Sequence, residues 1–127
     1  ILFYTIKDQP RITLNPVRSI VVAIGSTFRI ECHAEGFPVP FINWRLNWGH
    51  VCEEPRCRQT NENGRGILIV TDVRYYDAGA YSCEAINAVG RKFAIDTIVE
   101  IEQKPSIFFL IIFLLNLDIF KFILKYT

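Results

Sequence analysis

Two cysteines and the tryptophan between them constrain the fold of this chain more than any other feature of its sequence. Cys32, Trp44 and Cys83 each lie in a short run in which apolar and polar residues alternate. Such alternation is typical of a β-strand that buries one face and exposes the other. Several short strands separated by turn residues favour two packed antiparallel sheets over alternating strands and helices. The sequence therefore predicts an all-β, two-sheet sandwich with these three residues in its core.

A second motif, Asp-x-Gly-x-Tyr-x-Cys, ends at Cys83 and supports the same fold. Tyr81 lies two residues before this cysteine, where a tyrosine hydroxyl can bond to upstream backbone at a strand corner. Gly79 suits a tight turn because it has no side chain, and Asp77 begins the motif. We therefore expect a tyrosine corner at this point in the chain. The core positions expected just before it are Leu68, Val70 and Val73.

Together these motifs resemble an I-set immunoglobulin domain, and the resemblance covers residues 10–102. Within it, the segments 44–51 and 79–87 are similar to immunoglobulin modules of the perlecan family of basement-membrane heparan sulfate proteoglycans. The resemblance implies a Cys32–Cys83 disulfide with Trp44 packed against it. It also implies a secreted, extracellular module of a basement-membrane protein. Its expected partners are other extracellular proteins or matrix components.

Cys52 and Cys57 flank a short loop, and we expect them to form a second, local disulfide. The loop contains Pro55, which supports a turn. Four cysteines allow three pairings, so pairing with partners elsewhere is an alternative. A zinc site at His50, Cys52 and Cys57 is disfavoured because structural zinc normally takes four ligands. Disulfides persist in oxidising compartments, which favours an extracellular location over an intracellular, muscle-type I-set domain.

The loop from Cys52 to Cys57, which we call the stapled loop, and its neighbouring residues form a candidate binding surface, since loops on rigid scaffolds often carry function. The candidate residues are Trp48, His50, Arg56 and Arg58. The arginines could make a weak contact with a sulfated glycan, although nearby glutamates favour an ordinary solvated surface. Trp48 is either a contact residue or a cover for the end of the sandwich.

Charge and motif content argue against several other functions. The net charge of +1 provides no field that would attract nucleic acid or an anionic membrane. The sequence contains no Gly-x-Ser-x-Gly run, phosphate loop or zinc-helix motif. The two histidines, His33 on an outward strand face and His50 in a turn, lack a nucleophile beside them. We therefore predict no catalytic, cofactor or metal site.

The two ends of the chain differ in composition from the middle. Residues 1–9 form an unpatterned lead, and residues 103–127 form a hydrophobic tail. Fifteen of the 23 residues from Pro105 to Thr127 are Phe, Ile or Leu. One interpretation is intron read-through, because Phe, Ile, Leu, Lys, Asn and Tyr can all be encoded by A and T bases alone. In that case the tail is not natural coding sequence.

The other interpretation of the tail is a transmembrane helix over residues 107–124. A helix of this length spans about 27 Å, which is barely the hydrocarbon thickness of a bilayer. Lys121 and Lys125 suit a cytoplasmic end, whereas Asn116 and Asp118 are costly inside a membrane. In that case we expect the ectodomain of a membrane-anchored immunoglobulin-superfamily adhesion or receptor protein at the cell surface.

Overall fold

Alternating apolar residues place the strands of the chain in two facing sheets. The computed structural model describes residues 6–102 and 107–126. Its strands are β1 (Asp8–Leu14), β2 (Ser19–Val22), β3 (Phe28–Phe37), β4 (Phe41–Leu46), β5 (Gly49–His50), β6 (Cys57–Glu62), β7 (Arg65–Val70), β8 (Gly79–Ile86), β9 (Arg91–Phe93) and β10 (Thr97–Ile101). A short 3₁₀ turn, Tyr75–Asp77, precedes β8. The predicted immunoglobulin-like sandwich is confirmed.

The strands pair in an order that joins distant parts of the sequence. The first sheet has the order β1-β3-β7-β6, and the second has the order β2-β10-β8-β4-β5, with β9 also paired to β8. The β2–β10 pair is parallel. The first two strands, which lie on either side of Pro16, therefore belong to different sheets, β1 to the first and β2 to the second. This strand order leaves one outer face on each sheet open to solvent.

The core lies between the sheets and is centred on the Cys32–Cys83 disulfide. The Cα atoms of these cysteines are 6.5 Å apart, and Trp44 lies directly across the ladder from Cys83. A disulfide that closes a loop of this length raises the free energy of unfolding by about 4 kcal/mol, because it reduces the entropy of the unfolded chain. The buried residues around this centre include Phe28, Ile30, Ile42, Leu68, Val70, Val73, Tyr81 and Val99. The three core positions predicted before the tyrosine corner are thus buried.

Side-chain amides close one side of the sandwich where strand pairing is short. Strand β5 has two residues, so most of the outer edge of β4 has no neighbouring strand. Gln59 Oε1 accepts a hydrogen bond from Trp44 N at 3.1 Å. Asn61 accepts from Ile42 N at 2.7 Å and donates to Ile42 O at 2.8 Å. These bonds satisfy backbone groups that would otherwise be available to an added strand.

Two boundaries differ from the sequence prediction. Strand β1 begins at Asp8, two residues before position 10, because Asp8 pairs with Phe37 of β3. At the other end of the predicted domain, which reaches residue 102, the last stretch of strand is divided into β9 and β10. In the gap, Ile95 N donates to Asn15 Oδ1 at 3.0 Å, and Asp96 Oδ1 accepts from Ser82 Oγ at 2.9 Å. These side-chain hydrogen bonds take the place of backbone hydrogen bonds between neighbouring strands, so the strand is interrupted at this point.

The hydrophobic tail is helical over its described residues. Helix α1 (Ile107–Tyr126) follows the sandwich in the sequence. Among residues 6–102 and 107–126, no helix is both long enough and apolar enough to cross a membrane. Most of the predicted lead, residues 1–5, lies outside the described residues.

Candidate binding surface

The stapled loop is attached to the core rather than projecting from it. Cys52 and Cys57 form a disulfide with their Cα atoms 5.2 Å apart. Cys57 N also donates to Glu53 O at 3.1 Å, and Cys57 is buried in the hydrophobic core. Both thiols are therefore used, so the zinc site considered at His50, Cys52 and Cys57 has no thiolate ligands. Within the described part of the chain, no group of three or more His, Cys, Asp or Glu residues could hold a metal.

Arg56, one of the four candidate binding residues, points inward to the tyrosine corner. Its guanidinium donates to both carboxylate oxygens of Asp77, at 2.6 and 2.9 Å. It also lies 5.6 Å from the centre of the Tyr76 ring. The hydrogen bond to Asp77 raises the pKa of Arg56. Arg56 thus helps to hold the corner, and its donors are not open to a ligand as the sequence hypothesis required.

The corner that Arg56 supports has the arrangement expected from its motif. Tyr81 Oη donates to Asp77 O at 2.7 Å, and burial raises the pKa of this tyrosine. Burial alone would raise the pKa of Asp77, but hydrogen bonds from Arg56 and from Arg74 N hold it below its usual range. Gly79 has φ +143°, and a Cβ there would lie 2.6 Å from the Asn47 amide. Glycine is therefore required where β8 begins.

Trp48 lies at the tip of the tight turn between β4 and β5 and is 67% exposed. Asn47 and Trp48 have φ values of 48° and 66°, as the two central residues of a type I′ hairpin turn do. Asn47 N donates to Ala80 O at 2.8 Å, and its Oδ1 accepts from Ala80 N at 3.0 Å. The Trp48 and Phe93 rings form an edge-to-face contact, with their centroids 5.4 Å apart. The tryptophan is thus exposed but held in place.

Sequence reasoning missed a buried carboxylate under the outer face of the second sheet. Glu84 is 1% exposed, and its carboxylate accepts from Arg45 Nε at 2.9 Å and from Arg91 at 3.0 Å. Asn43 adds a longer contact of 3.5 Å. Burial would raise the pKa of Glu84, but the bonds from Arg45 and Asn43 outweigh it and lower the pKa. Glu84, Arg45 and Arg91 thus form a cluster with one net positive charge, in which the carboxylate holds both arginines in place.

This charge cluster contributes to a surface that we call the aromatic face. It lies on the outer side of the second sheet and around the β4–β5 turn, and it consists of Phe41, Arg45, Trp48, Ile86, Arg91 and Phe93. Phe41 lies across from Ile86, which lies across from Arg91. His50, another predicted residue, is exposed beside Arg45 across the β4–β5 ladder. Two predicted residues, Trp48 and His50, thus lie at this face, whereas Arg56 and Arg58 lie elsewhere.

The outer side of the first sheet, which we call the charged face, has a different composition. Glu31 contacts Arg29 at 3.0 Å, His33 at 2.7 Å and Arg65 at 3.5 Å. The hydrogen bond from His33, with help from Arg29, lowers the pKa of Glu31. Arg58 is exposed on the same face and flanks Ile69. A groove of about 320 Å³ lies beside His33 and Arg65.

Sequence comparisons relate the chain to a known domain family and to named proteins. Residues 9–87 match the sequence model of a family described as Immunoglobulin domain. The chain is 49% identical over 98 residues to a basement membrane proteoglycan of Caenorhabditis elegans. It is 47% identical over 93 residues to the basement membrane-specific heparan sulfate proteoglycan core protein of Mus musculus. These alignments cover 76% and 72% of the chain but 3% and 2% of the relatives.

More distant similarities extend to other proteins. The chain is 35% identical over 83 residues to Contactin-5 of Gallus gallus, which covers 65% of the chain and 8% of that relative. Among solved structures, titin M4 superposes with a TM-score of 0.69 at 26% identity, covering 77% of the chain and 100% of M4. Because the same fold occurs in proteins with such different names, the fold alone does not assign a function.

Proposed function

Because the chain belongs to the immunoglobulin domain family, we propose that it is a non-catalytic extracellular matrix module that spaces neighbouring modules and binds other proteins. The observation that carries this proposal is the sequence identity of 49% and 47% to two basement-membrane proteoglycans, over about three quarters of the chain. The proposed location is therefore the basement membrane, reached by secretion.

The cysteine chemistry supports an extracellular address for this module. All four cysteines are in disulfides. Disulfides are rare in reducing compartments, and a second bridge in a six-residue loop would be lost there. We therefore expect thiol titration of denatured native protein to detect no free thiol, whereas two or more free thiols would contradict the extracellular assignment.

The partners in this proposal are extracellular proteins, with at most weak contact to sulfated glycans. Arg56 is occupied by Asp77, and Arg29 and Arg65 share Glu31. Of the two loop arginines proposed for glycan contact, Arg58 is therefore the one that is exposed and has no carboxylate partner in the described part of the chain. It supplies little affinity by itself, so the proposal gives this loop at most a weak glycan contact.

The direct test is the location of the native protein. An antibody raised against the chain should label basement membranes, and the label should be extracted with matrix proteins rather than with membranes. Label confined to plasma membranes and extracted by detergent would instead support the alternative, an adhesion or receptor ectodomain. The observation that favours this alternative is an identity of 33% over 105 residues to the Neural cell adhesion molecule L1.1 of Danio rerio, covering 80% of the chain and 8% of that relative.

Sequencing the native transcript separates the two candidates at the level of the gene. We expect the message to splice between the codons for Glu102 and Ser106 into further modules, as the read-through interpretation of the tail requires. A message that continues to a stop codon after Thr127 would make the tail genuine. That result would favour the membrane-anchored alternative.

A further inference from the structure

We propose that the aromatic face docks a protein segment in which an apolar side chain is flanked by carboxylates. This inference rests on the proposed role of the chain as a protein-binding module and names the chemistry of the partner. Four properties of the face carry it: its composition, its rigidity, its charge and the closure of the neighbouring strand edge.

The composition of the face is that of an energetically important interface. Trp48 is 67% exposed, and Phe41 and Phe93 are 58% and 41% exposed. Two arginines lie among them. Trp, Tyr and Arg are the residues most often found to dominate binding energy at protein interfaces. On the charged face, by contrast, Ile67 and Ile69 are half-buried between charged neighbours.

The face is also held rigid before any partner binds. Positive φ is uncommon for a bulky residue such as Trp48 and is kept only where the surroundings enforce it. Here the two hydrogen bonds between Asn47 and Ala80 fix the turn, and Phe93 supports the indole. Arg45 and Arg91 are held by Glu84. Groups that are already ordered lose less entropy on binding.

The charge of the face selects an acidic partner. Glu84 lies beneath the surface at 1% exposure, whereas the side chains of Arg45 and Arg91 are 31% and 63% exposed. The positive ends of the network therefore face solvent. An arginine has five N–H donors, and each of these two uses one on Glu84. Their remaining donors suit the bidentate geometry of a carboxylate.

Two other modes of binding fit the face less well. A two-fold contact with a second copy would bring the same patch to each side, and because Glu84 is covered, the two arginines on each side would find no carboxylate across the interface. Addition of a strand to the edge of β4 is opposed by the amide bonds of Gln59 and Asn61. Docking onto the face by a different, acidic protein is the mode that remains.

The test is a selection of random dodecapeptides displayed on phage against the full chain, held through a tag after Thr127 in a non-ionic detergent. Trp48→Ala is selected in parallel, and Tyr75→Ala is the matched control. Tyr75 is also an exposed aromatic residue in edge contact with a second ring, that of Tyr76, but it lies outside the aromatic face. Circular dichroism establishes that each variant is folded.

We expect the native chain and Tyr75→Ala to enrich the same peptides, with Asp or Glu next to a large apolar residue. Binding of a recovered peptide should fall about tenfold in Trp48→Ala, as for an interface hot spot. It should also fall in Arg91→Gln, which tests the charge without changing the turn. Enrichment of basic peptides, or no peptide that depends on Trp48, would overturn the inference.

Two outcomes identify other occupants and also overturn the inference. A dimer in sedimentation that Trp48→Ala abolishes would assign the face to a second copy. Retention on heparin that Trp48→Ala and Arg91→Gln both weaken would assign it to a sulfated glycan. None of these outcomes changes where native protein is found, so the inference can fail while the proposed matrix location stands.

Discussion

The two outer faces of the sandwich each carry a glutamate bound by two arginines, and the two clusters differ chiefly in burial. On the charged face, the side chain of Glu31 is 23% exposed and also contacts His33. On the aromatic face, the side chain of Glu84 is 1% exposed. Glu84 shares its cross-strand row with Phe93 and Asn43, and its arginines lie over it. Similar pairs of charges are therefore solvated on one face and covered on the other.

The difference teaches that burial, more than the number of ion pairs, decides what a charge cluster contributes. An exposed pair exchanges its partners for water at little cost. A covered carboxylate cannot do so, and removing its partner leaves an uncompensated charge. The ion pairs of the charged face are partly solvated, whereas the aromatic face has an ordered set of donors and rings.

The largest effect is expected when the covered carboxylate loses a partner. Arg45→Ala should lower the free energy of unfolding by about 3 kcal/mol, because Glu84 remains buried with one arginine. Urea unfolding followed by tryptophan fluorescence measures this change. The matched control is Arg29→Ala, which removes an arginine from the solvated Glu31. Equal losses in the two variants would show that the two faces do not differ as proposed.

The second effect is a difference in acid sensitivity. The folded-state pKa of Glu84 lies below its ordinary value of 4.5, so the stability from its charged form is present above pH 4.5 and is lost as pH falls below it. Glu84→Gln should therefore be less stable than the native chain at pH 7, with the gap closing by at most about 1.4 kcal/mol per pH unit below 4.5. Urea unfolding at several pH values measures the gap. A gap that is constant with pH would contradict the assignment.

Much of this fold could be predicted from alternation, because a period of two determines which side chains face the core. Alternation places Trp44 and Tyr81 inward and Arg45 and Glu84 outward, as observed. It does not predict what covers an outward side chain. Arg45 lies 39 residues from Glu84 in sequence, and sheet register alone brings them together. The burial of Glu84 was therefore not predictable from local pattern.

The candidate binding residues show the same limit. Trp48 is exposed in the β4–β5 turn, and His50, predicted to lie in a turn, is exposed in β5 beside Arg45. Arg56 has the same local signal, a basic residue in a polar loop, yet Asp77 binds it from 21 residues away. The Asp-x-Gly-x-Tyr-x-Cys motif predicts that Asp77 lies at a buried corner, and a buried aspartate requires a cationic or hydrogen-bonding partner. That requirement was the signal available in the sequence.

The third effect is small and depends on salt. Glu31→Gln should lower the free energy of unfolding by less than about 1 kcal/mol, because Glu31 and its partners are partly solvated. The loss should shrink further in high salt, since exposed charges are screened. Thermal unfolding at low and high sodium chloride measures both quantities. A loss that is large and independent of salt would mean that Glu31 behaves as a buried charge.

The smallest effect is expected at an arginine that lacks a carboxylate partner among the described residues. Arg58 is exposed on the charged face, and its replacement by alanine should change the free energy of unfolding by less than about 0.5 kcal/mol. Arg56→Ala, two positions earlier, is the matched control, and it should cost about 3 kcal/mol because Asp77 is left buried and without its guanidinium. Urea unfolding of both variants gives the comparison. If Arg58→Ala proved as damaging as Arg56→Ala, the charged face would be a structural element rather than a solvated surface, and burial would not be what separates the two faces.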